Sequence, residues 1–376
     1  MDEACLSNVL QTVPPIHIQL NNVFARAQDR TRFSKCRHIR DWLIYGAGNM
    51  GRMCADVLSK NHCRVRGFVD RRVTVVPGYP VFRPGQITDR IESDCAVLIA
   101  VHNPGVSVDE ICAYLRSQGI DNIWTLPEVI DVWPALGRFW LAPADRSMRA
   151  QEEIGTAFSK LADISSQLLF VSLLNQRLNG DTMLPIPDIR HQYFPSDIPA
   201  LPSPLRFVDC GAYTGDTIEE FRRNGMCFDR IAAFEPDPAN YRSLARIATT
   251  EDACLFPCGV WSDAKQLRFS SDNAAGHFTA NGDMVVQTTS LDQAIPNLQP
   301  NYIKMDIEGA EPHALAGSKA LIKKYRPRLA ISAYHEPEHL WSLLLQIDLW
   351  DLDYRFYLRS HAFNGFDTVL YALPQP

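Results

Sequence analysis

Two glycine turns, each set between a short apolar run and an amphipathic stretch, limit most tightly what this chain can fold into. The first is Gly46-Ala-Gly-Asn-Met-Gly51, directly after Trp42-Leu-Ile-Tyr45. The second is Asp209-Cys-Gly-Ala-Tyr-Thr-Gly-Asp-Thr217, directly after Leu205-Arg-Phe-Val208. A glycine turn between a strand and a helix opens a β/α unit, because glycine lets the backbone turn tightly and approach a ligand. The alternation continues behind each turn. In the front half, strands are expected at 65–70, 96–101 and 123–126, with helices at 49–58 and 108–117. In the second half, strands are expected at 205–209, 230–234, 253–256, 302–307 and 328–334. Helices fill 216–223, 238–247, 312–325 and 337–347. This pattern predicts an α/β protein with two doubly wound parallel sheets.

The expected organisation is a lead-in over 1–40, a small Rossmann-like domain over 41–127, a connector over 128–204, and a larger domain over 205–376. Within the connector, Ile154, Phe158, Leu161, Ile164, Leu168 and Val171 predict one long helix over 146–178. The proline-rich stretch 184–204 reads as an ordered linker over the front of the next domain. Gln266–Phe269 and Met284–Gln287 read as a hairpin turning at Asn281-Gly282.

Net charge is −6 with both signs mixed along the chain, so no nucleic-acid face is expected. No apolar run is long enough for a membrane span. The ten cysteines form no CxxC pair. With Cys54, Cys95, Cys112, Cys210 and Cys254 in apolar or helical contexts, they read as reduced, buried thiols of a cytoplasmic protein.

The chemistry concentrates at predicted strand ends. Gly211, Ala212, Tyr213, Thr214, Gly215 and Thr217 form the second turn, and Asp209 or Asp216 suits an ammonium better than a phosphate. Glu235, in Glu235-Pro236-Asp237, lies 20 residues after Gly215, the spacing at which a carboxylate takes ribose hydroxyls. Lys304, Asp306 and Glu308 alternate at the fourth strand end, where burying them bare would be costly.

The segments Phe207–Thr217, Phe234–Asp237, Thr289–Asp292, Ile303–Glu311, Pro327–His335, Tyr357–His361 and Thr368–Tyr371 resemble the FkbM family of methyltransferases over about residues 155–372. The resemblance implies a class I methyltransferase fold ending in an antiparallel hairpin. It implies S-adenosylmethionine (SAM) as methyl donor, with Gly259 and Val260 joining the cofactor-binding residues. It implies a hydroxyl acceptor on a sugar or small polar metabolite. Asp306, Glu308 and His335 are the candidate bases, His335 being the best on intrinsic pKa. A divalent ion on Asp306, Glu311 and His335 is the less favoured device. Arg359 and His361 are candidate acceptor contacts.

The front turn meets the dinucleotide pattern through Gly46, Gly48, Asn49, Met50, Gly51 and Asp70. Val65–Asp70 and Gly78–Val81 resemble small Rossmann-like domains of sugar-modifying proteins, which implies a nucleotide or nucleotide sugar there. A structural or assembly role, homo-oligomers included, is the competing reading. A third is an NAD(P)- or nucleotide-sugar-binding protein with a non-catalytic second half.

Overall fold

The computed structural model of the chain describes residues 15–87, 95–247, 253–271 and 276–375. The first fourteen residues of the 1–40 lead-in lie outside these. Two compact units result, each assembled from separate stretches of sequence. One holds Met1–Gly155, Gln167–Pro187 and Ala362–Phe366; the other holds Thr156–Ser166, Asp188–His361 and Asp367–Pro376.

In the first unit, helix α1 (Ile16–Gln28) precedes five parallel strands. These are β1 (Asp41–Tyr45), β2 (Arg64–Val69), β3 (Val81–Phe82), β4 (Ala96–Ile99) and β5 (Ile123–Thr125), in the order β3-β2-β1-β4-β5. The apolar runs of β1 and β4 are buried on both faces, as a parallel sheet covered by helices demands. Helix α2 (Asn49–Lys60) turns Met50, Gly51, Cys54, Ala55 and Leu58 inward at helical spacing. Helix α3 (Val108–Ser117) starts at Ser107, whose hydroxyl accepts from the Glu110 N–H. Gly51 has a packing reason of its own: a Cβ there would lie 1.9 Å from the Gly46 carbonyl oxygen.

The single helix expected over 146–178 is three: α4 (Asp145–Arg149), α5 (Gln151–Ser159) and α6 (Ile164–Asn179). Asp163 causes the second break. Its carboxylate accepts from the Ser166 N–H at 2.8 Å and the Ser166 hydroxyl at 2.5 Å, capping a new helix. The break resets the apolar phase. Ile164 and Leu168 of the predicted stripe are exposed, and Leu169, Phe170, Leu173 and Leu174 are buried instead.

The second unit is built on seven strands. They are β6 (Leu205–Cys210), β7 (Phe228–Phe234), β8 (Ala253–Phe256), β13 (Tyr302–Met305), β14 (Arg328–Ser332), β15 (Tyr354–Ser360) and β16 (Thr368–Pro374), with four others described below. Their order is β15-β16-β14-β13-β6-β7-β8. Five run parallel, and β16 pairs antiparallel with both β14 and β15. The order reverses between β6 and β13, which opens a crevice at their carboxyl ends. Helices α7 (Asp216–Arg223), α8 (Pro238–Ile247), α9 (Glu311–Ala316), α10 (Lys319–Tyr325) and α11 (His339–Asp348) complete the unit. Phe207, Phe221, Ile231, Tyr302 and Tyr371 form part of its core. The helix expected over 312–325 divides at Gly317.

The expected hairpin is part of a larger piece. Strands β10 (Gln266–Ser270) and β12 (Met284–Thr289) pair antiparallel, but β11 (His277–Phe278) lies on the other side of β10. Asn281-Gly282 therefore joins strands that are not neighbours. Strand β9 (Gly259–Val260) adds to β12, giving the order β11-β10-β12-β9. Cys254, read as a buried thiol, is exposed because β8 is an edge strand. Among the described residues, no helix is long and apolar enough to cross a membrane.

The two glycines of the front turn should respond differently to substitution. Gly51→Ala should cost about 1–3 kcal/mol of stability, because its methyl overlaps a backbone oxygen. Gly48→Ala, with nothing within 4 Å of its Cβ, should cost under about 1 kcal/mol. Urea unfolding of the full chain measures both.

Candidate active site

A cavity of about 310 Å³ opens at the carboxyl ends of β6, β7 and β13 in the second unit. Its floor is an ion pair. Lys304 on β13 stands in register with Asp209 on β6. The ammonium donates to Asp209 Oδ1 at 2.8 Å and to the Gly211 carbonyl at 2.7 Å. Both side chains are almost wholly buried. Burial pushes the Asp209 pKa up to about 6, and the ammonium beside it works against that rise. Asp209 Oδ2 is buried and has no hydrogen-bond partner.

Gly211 brings the first turn against the fourth strand end. Its φ is +81°, and a Cβ there would lie 2.0 Å from the Asp306 carbonyl oxygen. Glu235, at the end of β7, accepts from the Tyr213 N–H and the Asp237 N–H, each at 2.8 Å. Its carboxylate is thereby aimed into the cavity, and burial pushes its pKa up to about 7 against those two bonds. Asp237 caps α8 through the Ala239 and Asn240 N–H groups and accepts from the Ser271 hydroxyl at 2.6 Å. Phe269 and Phe278, edge to face at 5.6 Å, form an apolar wall.

At the other end the strand stops earlier than the expected 302–307. It ends at Met305, and Asp306–Glu308 form a turn in which Glu308 has φ +52°. Asp306 Oδ2 accepts from the Tyr193 hydroxyl at 2.9 Å. His335, at the end of β14, holds a fully buried imidazole among three carboxylates. Its Nδ1 is 2.8 Å from Glu311, and its Nε2 is 3.5 Å from both Asp306 and Glu308. Burial alone would lower its pKa, but the Glu311 charge and hydrogen bond, then Glu308 and Asp306, push it up to about 10. The residue with the best intrinsic base pKa is therefore a cation at neutral pH, with no room to accept a proton. Burial pushes Glu308 up to about 7. Burial would also raise Asp306, but the charges of Lys304 and His335 hold it below its ordinary value.

Of the residues named from sequence, Gly211, Tyr213, Asp216, Thr217, Glu235, Pro236, Asp237, Gly259, Val260, Lys304, Asp306 and Glu308 line the cavity. Asp209 lies beneath it, paired to Lys304. Ala212, Thr214, Gly215 and His335 are not on its wall. Asp306, Glu311 and His335 do converge, each offering a ligand atom within 4.8 Å of the others. Arg359 and His361 are structural instead. Arg359 is spent on Asp163 and Asp197, and His361 joins the Asp188 carbonyl and the Tyr371 hydroxyl. Gly46, Gly48, Asn49, Met50, Gly51 and Asp70 belong to the first unit. There Asp70 accepts from the Ala47, Arg72 and Val73 N–H groups, so both its oxygens are occupied.

Sequence reasoning missed Gln192, Tyr193, Asn240, Ser271, the Phe269–Phe278 wall and Asp367. Tyr193 sits in a stretch without periodicity. Asp367 has only the adjacent Asn364-Gly365 turn to mark it.

The imidazolium makes a pH prediction. A histidine whose folded pKa is raised stabilises the fold fully below its unfolded value, and this is lost as pH rises through the folded one. The window runs from about 6.5 to about 10. Wild-type stability should fall across it more steeply than that of His335→Gln, as read by urea unfolding at stepped pH.

Residues 209–358 match the family described as the methyltransferase FkbM domain. The fold is shared with the crystal structure of methyltransferase FkbM from Methylobacillus flagellatus KT, at TM-score 0.77 and 23% identity, over 95% of this chain and 100% of that one. No curated protein matches. Over residues 209–358, which hold most of the site just described, the chain is similar to the methyltransferase FkbM family.

Proposed function

We propose that this protein is a SAM-dependent O-methyltransferase acting on a sugar or small polar metabolite. The observation that carries the reading is Glu235, oriented by two backbone N–H groups into a cavity at the sheet's switch point. The residues present suit the donor. Glu235 would take the ribose hydroxyls, and the Phe269–Phe278 wall would face a planar base. Asp209, with one buried oxygen lacking a hydrogen-bond partner, and Asp306 would receive the ammonium. When bound, SAM supplies an electrophilic methyl group on a sulfonium.

The chain's own part is to position the acceptor hydroxyl, exclude water and take its proton. Glu308 is the base. Its pKa of about 7 lets it be ionised at working pH and still hold a proton, whereas His335 is already protonated. His335 is then a positioning residue, a fixed counter-ion that holds Asp306 and Glu308 at one end of the cavity. A divalent ion on Asp306, Glu311 and His335 is the second reading, supported by their convergence. It would have to displace the Glu311–His335 bond at 2.8 Å. For the Gly46–Gly51 turn we propose a packing role, since a Cβ at Gly51 would lie 1.9 Å from the Gly46 carbonyl oxygen.

Calorimetry with S-adenosylhomocysteine tests the donor site. Glu235→Ala should weaken binding by about 10- to 100-fold, the worth of charge-assisted hydrogen bonds. A screen of hydroxylated acceptors with labelled SAM should then show Glu308→Gln slower by about 10²–10⁴-fold. Absence of S-adenosylhomocysteine binding by the wild type would refute the function.

A further inference from the structure

A second cavity in the same unit, of about 280 Å³, opens at the opposite, amino ends of β6, β13 and β14. Arg206, Arg326 and Arg328 line it, with Gln299, Asn301 and Tyr325. Among the described residues, no carboxylate lines this cavity or pairs with any of the three guanidiniums. Each arginine does hold a neighbouring loop. Arg206 Nε donates to the Gln299 carbonyl at 2.5 Å, and Arg328 Nη1 donates to the Pro199 and Ala200 carbonyls. Arg326 Nη2 donates to the Leu352 and Gln375 carbonyls. These bonds occupy one nitrogen of each guanidinium, and a guanidinium has three nitrogens carrying five N–H donors. Neutral donors could hold the same carbonyls, whereas three cations around one cavity repel each other. Arg326 adds two observations. It ends α10 in the left-handed region, at φ +47°, where glycine or asparagine is the usual residue. Its Nε is buried and has no hydrogen-bond partner, a costly state for a charged donor. Burial also holds Arg328 below its ordinary pKa, as befits a cation short of negative charge.

We propose that this cavity binds the phosphate or diphosphate group of a small molecule, held by Arg206, Arg326 and Arg328. Guanidinium forks match phosphate oxygens two at a time, which a lysine ammonium does not. A carboxylate, with a single charge, would leave two of the three cations uncompensated. A phosphate ester carries close to two negative charges at neutral pH, and a diphosphate more, so phosphate is the anion that fits. The site lies at the other ends of β6 and β13 from the first cavity, so the bound phosphate is not the reacting group. The proposal stands apart from the methyltransferase reading and does not depend on it.

The test is calorimetry on the full-length protein at fixed ionic strength with inorganic phosphate, pyrophosphate, glucose 6-phosphate and acetate. Pyrophosphate should bind at least about tenfold tighter than acetate, the worth of one further charge-assisted hydrogen bond. Glucose 6-phosphate binding tighter than inorganic phosphate identifies the occupant as a phosphate ester, and the reverse identifies it as the free anion. Arg328→Gln should weaken pyrophosphate binding by about 10- to 100-fold. Arg328 also holds the loop at Pro199 and Ala200, so Arg206→Lys serves as a second variant. It keeps the charge but loses the fork, and should weaken binding by about tenfold. Far-UV circular dichroism and the urea midpoint check that each variant folds. No binding of pyrophosphate, binding no tighter than that of acetate, or unchanged affinity in either folded variant overturns the proposal.

Discussion

The ion pair between Lys304 and Asp209 holds the second unit's site together. It joins adjacent central strands at the point where the strand order reverses, out of reach of water. Removing either partner would leave a bare buried charge, which typically costs about 3–5 kcal/mol. Lys304 also grips the Gly211 carbonyl, so the charge that joins the strands also sets the turn above them. The Tyr193 ring lies 5.4 Å from the ammonium and its hydroxyl reaches Asp306, which ties the linker to the same centre. The Tyr302 hydroxyl, donating to the Tyr193 carbonyl at 2.5 Å, fixes that linker from below.

A second layer of charge sits next to the first. Glu311 lies at the start of α9 and accepts both the Ile307 N–H and the His335 imidazole. The helix start suits a carboxylate there, and the carboxylate keeps His335 charged. Against burial, Lys304 and, after it, the charged imidazole hold Asp306 below its ordinary value. Glu308, further along the turn, stays near the midpoint of its titration. The two neighbouring acids differ because the Lys304 charge bears on Asp306 while burial dominates at Glu308.

Much of this was legible in the chain. Strands and helices followed the apolar periodicity closely, because a parallel sheet buries both faces and leaves continuous apolar runs. Glu235 was legible because its distance from Gly215 is set by one helix and one strand. The interruptions were not. Asp163 divides a helix whose apolar spacing reads straight through it, since a cap competes locally with a periodic pattern. Gln192 and Tyr193 were hidden because a linker without periodicity gives no sign of which side chain turns inward.

The sequence by itself determined the β/α order, the glycine turns and the acids at the strand ends, since these depend on neighbours a few residues apart. Only the tertiary structure decided which acid is free to take a proton. His335 has the pKa of a base in isolation, and three carboxylates from the 306–311 stretch make it a cation. Asp367 comes from the far end of the chain to complete the wall, and Tyr193 comes from the linker. Charge states in a buried site depend on everything within a few ångströms, and those neighbours are set by folding rather than by spacing along the chain.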